Sequence, residues 1–259
     1  MVFSRIPVQK KVKLNDSLVI IPTYNEKENI HLITDAVFSL DKKFDILIVD
    51  DNSPDGTAQI VKDLQKGEYK ERCLYLLERQ GKLGLGTAYI EGFQYAIEKG
   101  YDYIFEMDAD FSHIPKDLEK LYEVCAVNGA DLAIGSRYVS GVNVVNWPMG
   151  RVIMSYFASI YVRFITGMPI NDTTAGFVCF KRHVLETINL NNIKFIGYAF
   201  QIEMKFTAMK FGFILQEVPI VFTDRTRGKS KMSGSIFKDA FFGVIQMMLG
   251  SIFRKYIPA

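Results

Sequence analysis

Two hydrophobic periods alternate along the first two thirds of the chain, and this alternation limits the possible folds more than any other feature. Apolar runs of strand length are followed by stretches with the period of an amphipathic helix. The predicted strands are 18–22, 45–50, 73–77, 103–108 and 131–135, and the predicted helices are 28–40, 57–66, 84–99, 115–127 and 151–166. Such alternation is typical of an α/β fold with a largely parallel sheet covered by helices on both faces.

Charge is distributed unevenly along a chain whose formal net charge is +2. A value so close to neutral argues against a protein that binds nucleic acid through a broadly basic surface. Residues 1–14 carry four bases and no acids, and residues 224–259 carry seven bases and two acids, so the segment between them is acidic. The basic ends fit contact with phosphate groups or an anionic membrane, and they fit simple solvated charge equally well.

The cysteines and the N-terminal residues indicate a compartment. Cys73, Cys125 and Cys179 are too few and too far apart for a disulfide framework or a zinc site, which fits a reducing environment. The N-terminal residues lack the apolar stretch of a secretory signal peptide. We therefore expect a cytoplasmic protein.

One apolar segment near the carboxyl end, 241–253, is shorter than the roughly 20 residues that cross a bilayer. Its basic flanks, Lys238, Arg254 and Lys255, suit an amphipathic helix that lies in a membrane interface. A core helix of a soluble protein fits this segment about as well, and both interpretations remain open.

Acidic residues follow the predicted strands at the edge where ligands bind in open α/β sheets. Asp108 and Asp110, one residue apart after the fourth strand, suit a hard divalent cation such as Mg²⁺ or Mn²⁺. A pair of this kind also occurs often as a simple turn cap. A second acidic strand end, at Asp50 and Asp51, favours the metal site.

Two other polar features point away from common sites. The segment 81–86, with three glycines, lacks the spacing of a Walker A loop or a dinucleotide fingerprint, and it predicts a tight loop followed by a closely packed helix start. His31, His113 and His183 are scattered, so a histidine metal site or a Ser-His-Asp triad is not expected. Only His113, beside the acidic pair, is a candidate site residue.

Seven short motifs follow one another along the chain: PTYNE (22–26), VDDNSPDGT (49–57), GKLGLGTAY (81–89), DADFSH (108–113), GSRY (135–138), TTAGF (173–177) and DRTRGKSK (224–231). In this order they make the sequence similar to glycosyltransferase family 2, and within it to the dolichyl or polyprenyl phosphate mannose synthases. The resemblance covers about residues 17–250 and implies the nucleotide-sugar-binding glycosyltransferase A-type fold with C-terminal amphipathic helices. We predict a basic extension at 1–14, a catalytic domain at 15–235 and a C-terminal amphipathic, membrane-associated helix at 236–259.

The resemblance also implies roles for individual residues. The nucleotide pocket would be lined by Pro22, Tyr24, Glu26, Val49 and Asp51. Among these residues, Glu26 and Asp51 would accept hydrogen bonds from base or ribose. Asp110 would bind the metal directly, with Asp108 beside it, and the Ala109 backbone would lie against nucleotide and sugar. Ser112 stands where some relatives have a glutamine metal contact. The phosphate-binding residues would be Arg137, Arg225 and Lys231, with Arg151 as a further candidate for the acceptor phosphate.

The implied reaction is transfer of mannose from GDP-mannose to a polyprenyl phosphate, with inversion and with Mg²⁺ or Mn²⁺. The implied location is the cytoplasmic face of a membrane, where a small membrane-anchoring subunit is a candidate partner. We expect no binding to nucleic acid. Alternatives are a polyprenyl phosphate glucosyltransferase or another family 2 enzyme that uses a UDP-sugar, transfer onto a sugar hydroxyl with Glu203 as base, and a non-catalytic binding module. An aspartate-nucleophile phosphatase is disfavoured because its motif belongs on the first strand.

Overall fold

A seven-stranded sheet with helices on both faces forms the centre of the structure, a computed structural model that describes residues 15–225, 227, 236–253 and 256. The strands are β1 (Ser17–Thr23), β2 (Asp45–Asp50), β3 (Leu74–Glu78), β4 (Tyr103–Glu106), β5 (Leu132–Ser136), β6 (Val144–Val145), β7 (Val178–Lys181), β8 (Leu215–Pro219) and β9 (Phe222–Thr223). The helices are α1 (Ile30–Phe38), α2 (Thr57–Lys66), α3 (Leu85–Lys99), α4 (Asp117–Ala126), α5 (Met149–Thr166), α6 (Arg182–Thr187), α7 (Tyr198–Lys210) and α8 (Ile236–Phe253), with a 3₁₀ turn at Leu190–Asn192.

The strand order β3-β2-β1-β4-β7-β5-β8 confirms the predicted α/β class with a mostly parallel sheet. Every pair in this sheet is parallel except those of β7, which runs antiparallel to both β4 and β5. The β6 and β9 strands form a separate parallel pair. Strands β1 and β2 are apolar and buried over almost their whole length, as expected for strands covered on both faces.

Two apolar layers enclose the sheet. Helices α1, α2 and α4 pack on one face, and α3, α6 and α7 pack on the other. Helix α3 approaches the sheet closely because Gly92 faces Ile20, where a Cβ would lie 2.7 Å from the isoleucine side chain. This close approach sets the start of α3 beside the carboxyl ends of the strands.

Several boundaries differ from the sequence prediction. Strand β4 ends at Glu106, two residues early, so both Asp108 and Asp110 lie in the following loop. Strands β7 and β8 and helices α6 and α7 were not predicted. Helix α8 spans Ile236–Phe253, inside the segment 236–259 predicted to hold a helix, and it packs against α5 and α7. In the described part of the chain, none of the helices combines the length and the apolarity that a membrane crossing requires.

Candidate active site

The acidic pair lies in the loop after β4, and neighbouring polar groups fix its second carboxylate. The Ser112 backbone N–H donates to Asp110 Oδ1 at 3.0 Å, and the Ser112 hydroxyl donates to the same oxygen. Arg225 Nη2 lies 2.7 Å from Asp110 Oδ2. Phe111 adopts a left-handed φ of +61°. A bulky residue in this region carries strain of about 1–3 kcal/mol, which native structures tolerate chiefly at functional sites.

The first carboxylate of the pair sits in a charged and partly buried environment. Burial and the nearby charge of Asp110 raise the pKa of Asp108 to about 7. Its backbone N–H donates to His113 Nδ1 at 3.2 Å. Burial, with a contribution from Arg137, lowers the pKa of His113 to about 4, so the ring is neutral at pH 7 and can accept this bond. His113 therefore holds the loop that carries the acidic pair.

These residues fit a hard divalent cation. Asp108 and Asp110 offer only oxygen donors, and their mutual repulsion makes a bound cation favourable. Among the described residues there is no group of three or more His, Cys, Asp or Glu side chains placed to hold a metal. A site with two carboxylates suits an ion that takes its other ligands from water and phosphate oxygens. Ser112 orients Asp110 through the contacts above.

The ends of β1 and β2 add two buried carboxylates to this edge of the sheet. Glu26 accepts from Asn29 Nδ2 at 2.8 Å, and Arg225 Nη1 lies 3.8 Å from Glu26 Oε1. Asp51 accepts from Arg79 Nη1 at 2.6 Å. Burial raises the pKa of Asp51, although Arg79 opposes the rise. We call Glu26, Asp51, Asp108 and Asp110 the acidic rim.

The sequence did not reveal Arg79, which follows directly on β3. Its side chain is almost fully buried, and its Nε donates to Glu91 Oε1 at 3.1 Å while Nη2 contacts the Thr87 hydroxyl. Arg79 therefore ties Asp51 to the first turns of α3. A basic residue two positions after a predicted strand was the only available signal.

The other predicted pocket residues differ in exposure. Tyr24 is partly exposed, with Lys82 Nζ 4.9 Å from the centre of its ring, and Pro22 is partly buried at the end of β1. Val49 is completely buried in the core between sheet and helices. In this structure its contacts are with the core, and its place in the nucleotide pocket stays a prediction. Ala109 is also buried, with 4% of its surface exposed.

A cavity of about 140 Å³ opens beside the acidic rim, between α3, α5, α7 and the end of β5. Asp108, Arg137 and Arg151 line it together with apolar residues of α5. We call it the arginine cavity. The start of α3 closes one wall at short range, because a Cβ on Gly86 would lie 2.8 Å from the Phe200 ring. This contact confirms the predicted close packing after the glycine-rich loop.

Arg137 forms an ion pair with a buried carboxylate, Asp172, that the sequence prediction missed. Its Nε and Nη2 donate to the two oxygens of Asp172 at 2.6 Å each, and Nη2 also donates to Thr174 Oγ1 at 2.8 Å. Asp172 is completely buried; burial alone would raise its pKa, but Arg137 holds that pKa below its usual range. The position of Asp172 directly before the TTAGF motif was its signal.

Two more arginines converge on the same region. Arg151, in the first turn of α5, donates from Nη1 to Asp224 Oδ1 at 2.9 Å, and its guanidinium lies 3.9 Å from the ring centre of Trp147. Arg225 follows Asp224 and reaches the acidic rim. The structure thus brings together Arg137, Arg151 and Arg225 from three separate segments. Lys231 and the extension at 1–14 lie outside the described residues.

Glu203, the candidate base of the alternative reaction, faces away from the acidic rim. Its Oε2 accepts from the backbone N–H groups of Lys194 and Phe195 at 2.8 and 3.0 Å. It lines a different cavity, between α7 and α8. On α7 the residue that reaches the arginine cavity is Gln201, which has no carboxylate.

Comparison with known proteins supplies a family for this site. The model of glycosyl transferase family 2 matches residues 18–188. A polyprenol monophosphomannose synthase from Mycolicibacterium smegmatis is 46% identical over 230 residues, which are 89% of this chain and 86% of the relative. An undecaprenyl-phosphate mannosyltransferase from Micrococcus luteus is 43% identical over 234 residues, which are 90% of this chain and 94% of the relative.

Solved structures share the fold at low sequence identity. A mannosyltransferase from Pyrobaculum calidifontis in complex with GDP-Man and Mn²⁺ superposes with a TM-score of 0.60 at 16% identity, covering 95% of this chain and 66% of that chain. A glucosyl-3-phosphoglycerate synthase from Mycobacterium tuberculosis, in complex with Mn²⁺ and UDP, gives a TM-score of 0.63 at 16% identity, covering 90% and 78%. At this identity the likeness shows the fold.

Proposed function

Since the chain belongs to glycosyltransferase family 2, we propose that it transfers mannose from GDP-mannose to a polyprenyl phosphate, with inversion at the anomeric carbon. One observation carries this proposal: three arginines from separate segments converge beside the acidic rim and the arginine cavity. A donor diphosphate and an acceptor phosphate bring several negative charges into one small site. The names of the two relatives above support the choice of sugar and acceptor.

The acidic rim would receive the nucleotide. Glu26 and Asp51, which follow the ends of β1 and β2, would accept hydrogen bonds from base or ribose, and Tyr24 would offer an aromatic face nearby. Asp51 is already oriented by Arg79, so its side chain loses little conformational freedom on binding. Asp108 and Asp110 would hold Mg²⁺ or Mn²⁺, which when bound would neutralise charge on the diphosphate leaving group. Arg225 would stabilise the same charge.

The acceptor phosphate would bind Arg137, Arg151 and Arg225, with Lys231 as a further candidate. A phosphate monoester has a second pKa of about 6 and is largely ionised at pH 7, so it needs no strong base to become a nucleophile. Of the described residues that line the arginine cavity, Asp108 alone carries a carboxylate. This arrangement supports a phosphate acceptor over a sugar hydroxyl, which would need a base such as Glu203 to face the cavity.

The apolar end of the acceptor would lie against α5 and α8. Helix α5 exposes Phe157 and Phe164 at 61% and 86%, and α8 exposes Phe242 at 67%. The two helices meet where the Tyr161 ring stacks on Phe241, with centroids 4.6 Å apart. We propose that this face, together with the basic ends of the chain, attaches the protein peripherally to the cytoplasmic side of a membrane. A small membrane-anchoring subunit is a further candidate partner.

A donor panel tests the reaction. The protein is incubated with a short polyprenyl phosphate, Mn²⁺ or Mg²⁺, and GDP-mannose, UDP-glucose or UDP-GlcNAc, and the lipid product is analysed by mass spectrometry and for anomeric configuration. We expect a β-linked mannosyl phosphate lipid from GDP-mannose, and loss of activity with a chelator. Turnover with UDP-sugars alone would refute the mannose assignment, and an α-linked product would refute a single displacement with inversion.

A further inference from the structure

Two buried polar groups in the arginine cavity have no hydrogen-bond partner among the described residues. They are the Tyr89 hydroxyl on α3 and the Gln201 amide nitrogen on α7. Tyr89 is completely buried and Gln201 is 3% exposed. Buried polar groups are nearly always hydrogen-bonded in native proteins, so an unpaired one points to a missing partner.

Both groups are held rigidly. The Tyr89 ring stacks on Phe200 with centroids 6.1 Å apart, and it also stacks on Phe93 at 6.2 Å. Gln201 Oε1 accepts from the buried Lys205 Nζ at 3.3 Å, which leaves its amide nitrogen as the free end. That nitrogen lies near the Glu106 carboxyl, whose two oxygens likewise have no hydrogen-bond partner by strict geometry among the described residues. Rigid donors of this kind are suited to recognising a ligand of fixed shape.

The Tyr89 hydroxyl keeps its proton. Burial, and the negative charges of Asp108, Glu106 and Asp110, raise its pKa well above the usual value. The group can therefore donate a hydrogen bond and accept another at any physiological pH.

The cavity has the size and the position for a sugar ring. Its volume of about 140 Å³ accommodates on the order of ten water-sized atoms. This is about the size of one hexose with its hydroxyl groups. The cavity begins at Asp108, beside the proposed diphosphate site, so a sugar attached to that diphosphate would enter it directly.

We propose that Tyr89 and Gln201 are specificity-determining residues that hydrogen-bond hydroxyl groups of the transferred sugar. This assignment rests on the proposed function above. A site built to bind a particular hydroxyl discriminates strongly against an analogue that lacks it, because its own buried groups are then left unpaired. Tyr89 and Gln201 would thus select among hexoses with the same nucleotide.

The test compares GDP-mannose with its 2-, 3-, 4- and 6-deoxy analogues in the unmodified protein, Tyr89→Phe and Gln201→Met. We expect at least one analogue to react roughly 10- to 100-fold less efficiently than GDP-mannose with the unmodified protein. Tyr89→Phe should lower kcat/KM for GDP-mannose by about tenfold. The same variant should no longer discriminate against the analogue that lacks the hydroxyl bound by Tyr89. GDP affinity, measured by calorimetry, should not change.

A matched control is Tyr95→Phe, which removes a hydroxyl from the same helix outside the cavity. This variant should have the same kcat/KM as the unmodified protein with each of the five donors. Equal use of all donors by the unmodified protein would overturn the assignment even if a variant failed to fold. An active protein whose discrimination is unchanged in both Tyr89→Phe and Gln201→Met would overturn this assignment alone. A protein inactive with GDP-mannose would overturn the proposed function and this assignment with it.

Discussion

The acidic rim and the arginine cavity satisfy their polar groups in different ways. In the rim, Glu26, Asp51 and Asp110 each have a hydrogen bond or an ion pair within the protein. In the cavity, the Tyr89 hydroxyl, the Gln201 amide nitrogen and the Trp147 indole N–H are buried without a partner among the described residues. The rim is thus organised by the protein itself, whereas the cavity, in our proposal, is completed by a ligand. Substitutions should therefore disturb the two regions differently.

The largest effect is expected in the acidic rim, at Asp110. Asp110→Asn removes the charge that pairs with Arg225 and would hold the cation, so activity should fall by at least about 10²- to 10³-fold. Initial rates of mannosyl transfer measure the loss. Asp102→Asn, at the opposite end of β4, is the control and should retain full activity. Comparable rates of mannosyl transfer by Asp110→Asn and the unmodified protein would show that Asp110 does not hold a cation that the reaction needs.

Arg137 should be needed for folding as well as for binding. Arg137→Ala leaves the completely buried Asp172 without its partner, which should lower the free energy of unfolding by about 3–5 kcal/mol. Arg151→Ala breaks a partly exposed pair and should cost about 1 kcal/mol or less, while raising KM for the lipid phosphate. Urea unfolding and acceptor titrations separate the two effects. Equal stabilities of the two variants would contradict this contrast.

Removal of Arg79 should leave one carboxylate of the acidic rim without its ion-pair partner. In Arg79→Met, Asp51 loses its buried partner, and GDP affinity should fall by about tenfold. Calorimetric titration with GDP measures this change. Lys62→Met, which removes the base of an exposed ion pair with Glu78, should not alter GDP affinity. If both variants bind GDP alike, Arg79 does not orient the nucleotide site.

The Arg137–Asp172 pair also predicts a dependence of stability on pH. The pKa of Asp172 is lower in the folded state than in the unfolded state, so its contribution is present above about pH 4 and is lost as pH falls through the folded-state pKa. In Asp172→Asn this loss is absent. The free energies of unfolding of the unmodified protein and of Asp172→Asn are measured as a function of pH. Below pH 4 the difference between them should shrink by up to about 1.4 kcal/mol per pH unit. Parallel curves would show that Asp172 does not titrate as proposed.

The smallest effects are expected on the exposed apolar face of α5. Phe157→Ser with Phe164→Ser should weaken sedimentation with anionic liposomes several-fold, because each exposed aromatic ring is worth at most about 1.5–3 kcal/mol when buried. Stability in solution should not change, since both side chains are already exposed. Val127→Ser, at an exposed position directly after α4, is the control. Failure of the unmodified protein to bind liposomes would exclude the proposed attachment.

Local sequence patterns predicted the long periodic helices and strands better than the short elements that depend on long-range pairing. Helix α2 has the predicted bounds, and β2 does as well, because each is a periodic run bounded by turn residues. Strand β7 has only four residues and follows a long irregular segment, so no period marks it. Its antiparallel insertion between β4 and β5 depends on long-range pairing that no local window contains.

The site shows the same division. The sequence by itself determined the α/β class and placed Glu26, Asp51, Asp108 and Asp110 at strand ends, because strand periodicity and parallel pairing bring those ends to one edge. Tertiary structure alone decided that Val49 is buried and that Asp51 pairs with Arg79. It also decided that Tyr89 and Gln201 face one cavity. These contacts join segments that are distant in the chain, and their formation depends on how helices pack on the sheet, which hydrophobic periodicity does not specify.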